Sequence, residues 1–218
     1  MRIESSGLCF DPKSHSYWWG HTRIPSVTQI LDELNIKKNY DAVPEFVLEL
    51  AAARGTAIHQ WISDILMDRE VVKLPAKWAG YKKAFEAFLT DYGELLVPVY
   101  DEQLLYCDYG LGERFAGTVD LIAEWGDGHI IIDWKTGSES FSHAYQVCAY
   151  IELVKQNFPD IYLTHAAVVY LDKKGKYTMK LSEEGYLNGE TKSHMTRWLS
   201  CVEMFYDKLK HGEVEGYQ

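Results

Sequence analysis

The chain has 218 residues, of which 47% are hydrophobic, and its 32 acidic and 22 basic side chains give a formal net charge of −10. This length suits one well-packed domain, and the acidic excess argues against nucleic-acid binding over the whole surface, though not against a local basic track. No apolar run could span a bilayer and the N-terminus lacks a signal-peptide core, so we expect a cytoplasmic protein with no membrane partner.

The first 93 residues predict a hairpin followed by helices, because a short alternating segment precedes two long amphipathic stretches. The turn of the hairpin is expected near Gly20, and Ser26 is the expected N-cap of the first helix. The predicted elements are a hairpin over Leu8 to Arg23, a short helix from Ser26 that ends before Lys37, and helices over Glu45 to Met67 and Pro75 to Tyr92.

Residues 94–181 predict a mixed sheet, and residues 182–218 predict a closing helix. Gly126 to Gly128 supplies a tight turn between two of the strands. The predicted strands are Leu95 to Cys107, Arg114 to Trp125, His129 to Thr136, Tyr162 to Leu171 and Tyr177 to Leu181, with helices over Ser142 to Asn157 and Thr191 to Lys210. This order indicates a single α/β domain in which helices flank a sheet.

Two carboxylates and one ammonium are expected at a common edge of that sheet. Antiparallel pairing across the turn places Asp120 near Asp133, and Lys135 follows two residues later. The strand is apolar through residues 130–132, so charge at its end is costly without a partner or a metal. A strand-end salt bridge to Lys135 and a catalytic metal site are the two interpretations of this pattern.

Two helical spacings agree with a site at that edge. His59 lies four residues after Gly55, and Tyr150 lies four residues after Gln146, so each pair shares one helix face. Gly55 would let a neighbour approach the helix, and Arg54 adds a donor beside it. Taken singly, His59 could be a core histidine and Gln146 with Tyr150 a polar helix edge. The agreement of all the patterns in one order favours a functional site.

The order of these motifs resembles the PD-(D/E)XK nuclease superfamily, in particular its RecB-like exonuclease branch. The motifs are Arg54 to His59, Gly117 to Asp120, Asp133 to Gly137 and Gln146 to Tyr150, which together span nearly half of the chain. Pro25 to Leu31 is also similar to the entry segment of phage-type members. The resemblance implies a restriction-endonuclease-like core with the order α-β-β-β-α-β and a metal site at one sheet edge.

The resemblance also implies which residues hold the metal. His59, Asp120, Asp133 and the backbone carbonyl of Trp134 would bind one or two divalent ions. Glu102, on the preceding strand, stands where the family often has a further acidic residue and is a weaker catalytic candidate. Carboxylate oxygens suit Mg²⁺ and Mn²⁺, and an imidazole shifts the preference toward Mn²⁺.

The implied activity is metal-assisted hydrolysis of DNA, with Asp120, Asp133 and Lys135 as catalytic residues. Arg54, Gln146 and Tyr150 would contact the DNA. An exonuclease that acts on a free single-stranded end in phage or bacterial recombination, repair or replication is the leading hypothesis, with recombination or replication proteins as possible partners. A structure-specific or restriction-like endonuclease and a non-cutting DNA-end-binding module are the alternatives.

Cysteine spacing sets this chain apart from some relatives, which hold a [4Fe–4S] cluster with one early and three closely spaced late cysteines. Cys9, Cys107, Cys148 and Cys201 are far apart, so we predict no cluster. They are expected to be buried apolar residues in a reduced compartment. The chain is more similar to cluster-free members, such as mitochondrial genome maintenance and phage exonucleases.

Several lysines outside the motifs are candidate phosphate contacts. Ordinary solvated turns and helix faces are the plainer interpretation of each. The candidates are Lys37 and Lys38, Lys82 and Lys83, and Lys173, Lys174 and Lys176.

Overall fold

The structure is a computed structural model that describes residues 3–5, 7–12, 14–37, 40, 42–110, 112–182 and 189–217. Its strands are β1 (Ile3–Ser5), β2 (Leu8–Asp11), β3 (Ser16–Trp19), β4 (Thr22–Ile24), β5 (Val97–Asp108), β6 (Arg114–Trp125), β7 (Gly128–Lys135), β8 (Leu163–Leu171) and β9 (Tyr177–Ser182). Its helices are α1 (Val27–Glu33), α2 (Glu45–Leu66), α3 (Ala79–Tyr92), α4 (Ser142–Asn157) and α5 (Gly189–Lys210), with a 3₁₀ turn over Ala76–Trp78. Among the described residues, no helix is long and apolar enough to cross a membrane.

A five-stranded mixed sheet forms the centre of the molecule, in the order β5-β6-β7-β8-β9. Only β7 and β8 are parallel, and α4 makes the crossover that parallel pairing requires. The other neighbours are antiparallel, with a two-residue turn between β6 and β7 in which Gly126 has a φ of 57°. The predicted fold class, a mixed sheet flanked by helices, is therefore confirmed.

Helices cover both faces of this sheet. On one face α1, α4 and α5 pack around sheet residues such as Ile131 and Val168. On the other face α2 and α3 pack around Ile132 and Trp134. Because side chains alternate along a strand, Asp133 points toward the α4 layer between two residues that point away from it.

The N-terminal segment differs from the predicted hairpin. It is a four-stranded antiparallel sheet, β1-β2-β3-β4, because the chain turns at Gly7 and between Asp11 and Ser16 as well as near Gly20. The sheet packs on β5 and β6 through Leu8, Tyr17 and other apolar residues. A small second sheet therefore stands beside the edge where the sequence motifs converge.

The start of α1 is tied to the central sheet. Ser26 caps the helix as predicted: its hydroxyl accepts from the Gln29 N–H at 3.1 Å, and the Gln29 side chain accepts from the Ser26 N–H at 2.9 Å. The Ala116 N–H also donates to the Pro25 carbonyl at 3.0 Å.

Three of the four cysteines, Cys107, Cys148 and Cys201, are buried, while Cys9 is half-buried.

Candidate active site

The β6–β7 hairpin places the two predicted aspartates together. Leu121 pairs with Ile132, so the next positions along the two strands are Asp120 and Asp133. The Trp134 backbone N–H donates to the Asp120 carboxylate at 2.8 Å. Both carboxylates are buried, and the Trp134 main chain lies beside them; its carbonyl stays a predicted ligand.

His59 and Glu102 complete a cluster around Asp120. His59 approaches from α2, with its Nδ1 atom 3.4 Å from Asp120 Oδ2. Glu102 lies between the Asp101–Leu121 and Gln103–Val119 pairs, which puts it opposite Asp120. One ligand atom from each of His59, Glu102 and Asp120 lies within 4.8 Å of the others.

Glu102 has an unusual backbone conformation for a strand residue. Its φ is 45°, in the left-handed region that residues other than glycine rarely adopt. Such strain costs on the order of 1–3 kcal/mol and occurs preferentially where geometry serves function. The conformation therefore strengthens the assignment of Glu102, which the sequence offered only as a weaker candidate.

Asp133 is paired with Lys135 and is not one of the three clustered candidate ligands, which are His59, Glu102 and Asp120. Lys135 Nζ lies 2.7 Å from Asp133 Oδ2, and the lysine side chain is 19% exposed while the aspartate is almost fully buried. In the described part of the chain, Asp133 Oδ2 still accepts no hydrogen bond of good geometry. The predicted salt bridge thus exists, and it lies inside the candidate site.

The charges in this site shift one another's protonation. Burial lowers the pKa of His59, but the carboxylate of Asp120 more than offsets this and raises it to about 9. Glu102 is exposed at the mouth of the site, yet desolvation by the protein around it raises its pKa to about 7, helped by Asp120. Burial raises the pKa of Asp133 to about 6 despite Lys135. Burial also opposes ionisation of Asp120, yet His59 holds its pKa below the usual range.

Gln146 and Tyr150 lie side by side on α4, as their spacing predicts. The Gln146 side-chain amide donates to the Tyr150 hydroxyl at 2.7 Å, and both residues are buried. Gly117 permits this packing, because a Cβ there would lie 3.2 Å from the Tyr150 ring and 3.0 Å from Leu153. The glycine of the Gly117 to Asp120 motif is therefore a packing requirement between β6 and α4.

Arg54 and Gly55 lie on α2, near the end of β7 that carries Lys135. Arg54 donates to the Thr136 hydroxyl at 3.5 Å, and its guanidinium lies 5.4 Å from the centre of the Tyr81 ring. A Cβ at Gly55 would only touch Thr136, at 3.8 Å, so this glycine is not required by crowding. Its missing side chain leaves open space beside His59.

One cavity of about 590 Å³ is lined by His59, Glu102, Asp120, Asp133, Lys135, Gln146 and Tyr150, but not by Arg54. It also has a wall that the sequence motifs did not indicate. Tyr17, from the N-terminal sheet, is buried and hydrogen-bonds to Thr118 at 3.0 Å. Phe10 and His15 line the same wall, with the Phe10 ring 4.8 Å from Tyr17 and 5.1 Å from His15. A contact across 101 residues leaves no local signal in the sequence.

A second cavity is larger, about 800 Å³, but it lies away from the clustered carboxylates. It runs between α4 and the β8–β9 hairpin and is lined largely by apolar side chains such as Val147, Ile151 and Val168. Size alone does not identify a reactive site, because chemistry needs converging polar groups. The smaller cavity is therefore the candidate active site.

The donor set in that cavity suits a divalent cation. One imidazole and clustered carboxylates are ligands that Mg²⁺ and Mn²⁺ accept, and the Asp133 oxygen without a well-directed hydrogen bond offers a further one. The mutual repulsion of Glu102, Asp120 and Asp133 is the condition that a cation would relieve. These residues form a possible metal site.

Mn²⁺ affinity is expected to rise with pH from about 6 to about 9, because protons on Asp133, Glu102 and His59 must leave before these groups can bind the ion. Each displaced proton can change the affinity by up to about tenfold per pH unit. Titration calorimetry in buffers of different ionisation enthalpy measures both the affinity and the proton release. In His59→Gln the dependence above about pH 8 should disappear, because Glu102 has lost its proton by then. A wild-type affinity that is flat across this range would contradict the site.

The family comparison and one solved structure agree with the motifs and the fold of this chain. The family model for the PD-(D/E)XK nuclease superfamily matches residues 32–217. A crystal structure from Eubacterium rectale, named a "putative exonuclease", is similar in fold with a TM-score of 0.50 and 13% identity, over 77% of this chain and 70% of that one. The crystal structure of SSO0001 is 15% identical, with a TM-score of 0.39 over 82% of this chain and 74% of that one. No curated protein matches.

The family match includes every residue placed at the carboxylate–lysine edge and the helices α2 and α4 beside the cavity. The five-stranded sheet has the strand order and the α4 crossover that the resemblance to this family implies. With its motifs, fold and family match in agreement, this chain belongs to the PD-(D/E)XK nuclease superfamily.

Proposed function

We propose that the protein is a divalent-metal-dependent DNA exonuclease, formed by the whole chain as one domain, that hydrolyses phosphodiester bonds from a free end. The observation that supports this most is the meeting of His59, Glu102 and Asp120 with the Asp133–Lys135 pair in one cavity. An end-directed activity would suit phage or bacterial recombination, repair or replication in the cytoplasm.

Each side chain has a role that follows from its place. A bound divalent ion would activate water and offset the negative charge that builds on the phosphate. Lys135, oriented by Asp133, is placed to donate to the phosphate or to orient the attacking water. Gln146 and Tyr150 would position the adjoining backbone of the DNA.

The shape of the cavity favours a single strand end over a duplex. Its volume of about 590 Å³ is in the range of pockets for small ligands, which corresponds to a nucleotide unit rather than to a double helix. The N-terminal sheet closes one side, where Tyr17 is fixed to Thr118. Rings such as those of Phe10 and His15 can stack on a base without reading its identity.

Linear single-stranded DNA is therefore expected to be shortened in the presence of Mn²⁺, while the covalently closed circle of the same sequence survives. The reason is that a DNA strand enters a cavity of this size, closed on one side by the N-terminal sheet, most easily by its end. Gel analysis of both substrates over time, with EDTA as the metal-free control, gives the answer. DNA with both ends blocked serves as a second control for end dependence.

Rapid cutting of the circle would instead favour the endonuclease alternative and leave the metal-site assignment intact. Binding of ends with no cleavage of any substrate, at saturating Mg²⁺ or Mn²⁺, would favour a non-cutting end-binding module. A comparison of both metals is needed, because His59 favours Mn²⁺ over Mg²⁺.

A further inference from the structure

Six exposed lysines lie on two chain segments that meet, the 3₁₀ turn with the start of α3 and the β8–β9 turn. The two segments are in backbone contact, because a Cβ at Gly80 would overlap the carbonyl of Lys173. A Cβ at Gly175 would lie 3.2 Å from the Lys83 side chain. We name this surface the lysine platform, and its members are Lys77, Lys82, Lys83, Lys173, Lys174 and Lys176.

The platform contrasts with the rest of an acidic chain. Six of the 22 basic residues lie here, in a protein with a net charge of −10. The described residues of α3 and the β8–β9 turn include three carboxylates, and each has a partner: Glu86 pairs with Lys82 at 3.6 Å, Asp91 accepts from Tyr177, and Asp172 accepts from two backbone N–H groups of the turn. The balance is positive, which makes the surface attractive to a polyanion.

Contacts connect the platform with the active site. Arg54 bridges Thr136, the residue after Lys135, and the ring of Tyr81, which adjoins Gly80 on α3. Lys135 pairs with Tyr170 across the sheet, and β8 leads from Tyr170 directly into the turn that carries Lys173. The platform therefore begins where the strand beside Lys135 ends.

We propose that the lysine platform holds the phosphate backbone of the DNA at a distance from the scissile bond, with Arg54 on the path between them. This inference rests on the proposed function. Lysine ammoniums act as point charges that suit phosphates without sequence readout. The turn is also held rigidly for this purpose, because Asp172 accepts from the N–H groups of Lys174 and Lys176.

The test compares Lys83→Gln/Lys173→Gln/Lys174→Gln with a matched control, Lys155→Gln/Lys192→Gln/Lys210→Gln, whose exposed lysines lie on α4 and α5. Fluorescence anisotropy measures binding of a single-stranded oligonucleotide of about 16 nucleotides in EDTA over a range of salt. The platform variant should lower the slope of log affinity against log salt by about 2, since each lost phosphate contact contributes about 0.7. Its affinity should fall tenfold or more, whereas the control keeps the wild-type slope.

The outcomes separate this inference from the proposed function. Wild-type protein that cleaves DNA, together with an unchanged slope in a folded platform variant, would overturn the platform and favour an acidic protein segment as its occupant. A reduced slope without any cleavage by the wild type would sustain the platform and overturn the proposed exonuclease. Thermal unfolding of each variant verifies its fold, and single Lys173→Gln and Lys174→Gln variants repeat the test if the triple variant is unfolded.

Discussion

Asp133→Asn should reduce DNA cleavage by roughly 10²-fold or more while the protein stays folded. The substitution removes a charge that lies 2.7 Å from Lys135 and is a further candidate ligand beside the His59, Glu102 and Asp120 cluster. Asp120→Ala and Lys135→Ala should have losses of the same size. The rate of product formation at saturating Mn²⁺, compared with the far-UV spectrum of each variant, checks the expectation.

Asp32→Asn is the matched control, because Asp32 forms a lysine pair of similar length with Lys37, at 2.6 Å, on the exposed surface. Its cleavage rate should stay within about twofold of wild type, since exposed pairs contribute little. Near-normal turnover in Asp133→Asn at saturating metal would remove that residue from the catalytic set.

Lys38, the neighbour of Lys37 and a predicted phosphate contact, lies outside the described residues.

Trp134→Ala is expected to lower the free energy of unfolding by about 3–5 kcal/mol. The indole is 2% exposed and meets Phe85 and Phe88 edge-on, with ring centres 5.5 and 5.2 Å away. It lies between Asp133 and Lys135 in sequence but on the opposite face of the sheet, so it anchors the strand that carries them. Urea denaturation of wild type and variant measures the loss.

Trp19→Ala provides the comparison for that measurement. Trp19 is 38% exposed and stacks on Tyr106 with ring centres 4.6 Å apart, so its loss should cost less than about 2 kcal/mol. Equal losses in the two variants would mean that Trp134 does not anchor the core. Trp134 and Trp61 also lie in the same apolar cluster, so base stacking is not their role.

Most helices and strands could be predicted because their hydrophobic periodicity extends over many residues. β6 and α4 begin and end where predicted, β8 differs by one residue at its start, and β7 differs by one residue at each end. The N-terminal sheet was predicted less well, since its strands have only three or four residues and three turns lie close together. Short strands carry too few alternations to separate a hairpin from a longer meander.

Asp101 and Glu102 are adjacent acidic residues whose different roles could not be predicted from the sequence pattern. Asp101 makes a bidentate pair with Arg69, at 2.7 and 2.8 Å, and also accepts from Ser63, so its role is structural. Glu102, the next residue, joins the cluster with His59 and Asp120. Neighbours on a strand face opposite sides, but which side holds the site depends on the register and on a left-handed backbone at Glu102.

Residues that act through tertiary contact were beyond prediction for the same reason. Tyr17 reaches the cavity by pairing with Thr118, and the lysine platform exists only because Gly80 lets α3 meet the β8–β9 turn. The sequence indicated the lysine groups separately, each as a solvated turn or helix face. Only the fold joins them into one surface.

The metal site is tested most directly by diffraction from crystals of the wild-type protein soaked in Mn²⁺, with data collected at the manganese absorption edge. We expect an anomalous peak within about 2.6 Å of the Asp120 and Glu102 carboxylates and of a His59 ring nitrogen. Asp120→Ala should lose the peak under the same conditions. An ordered Mn²⁺ ion elsewhere in the wild type, with none beside Asp120, would contradict the assignment.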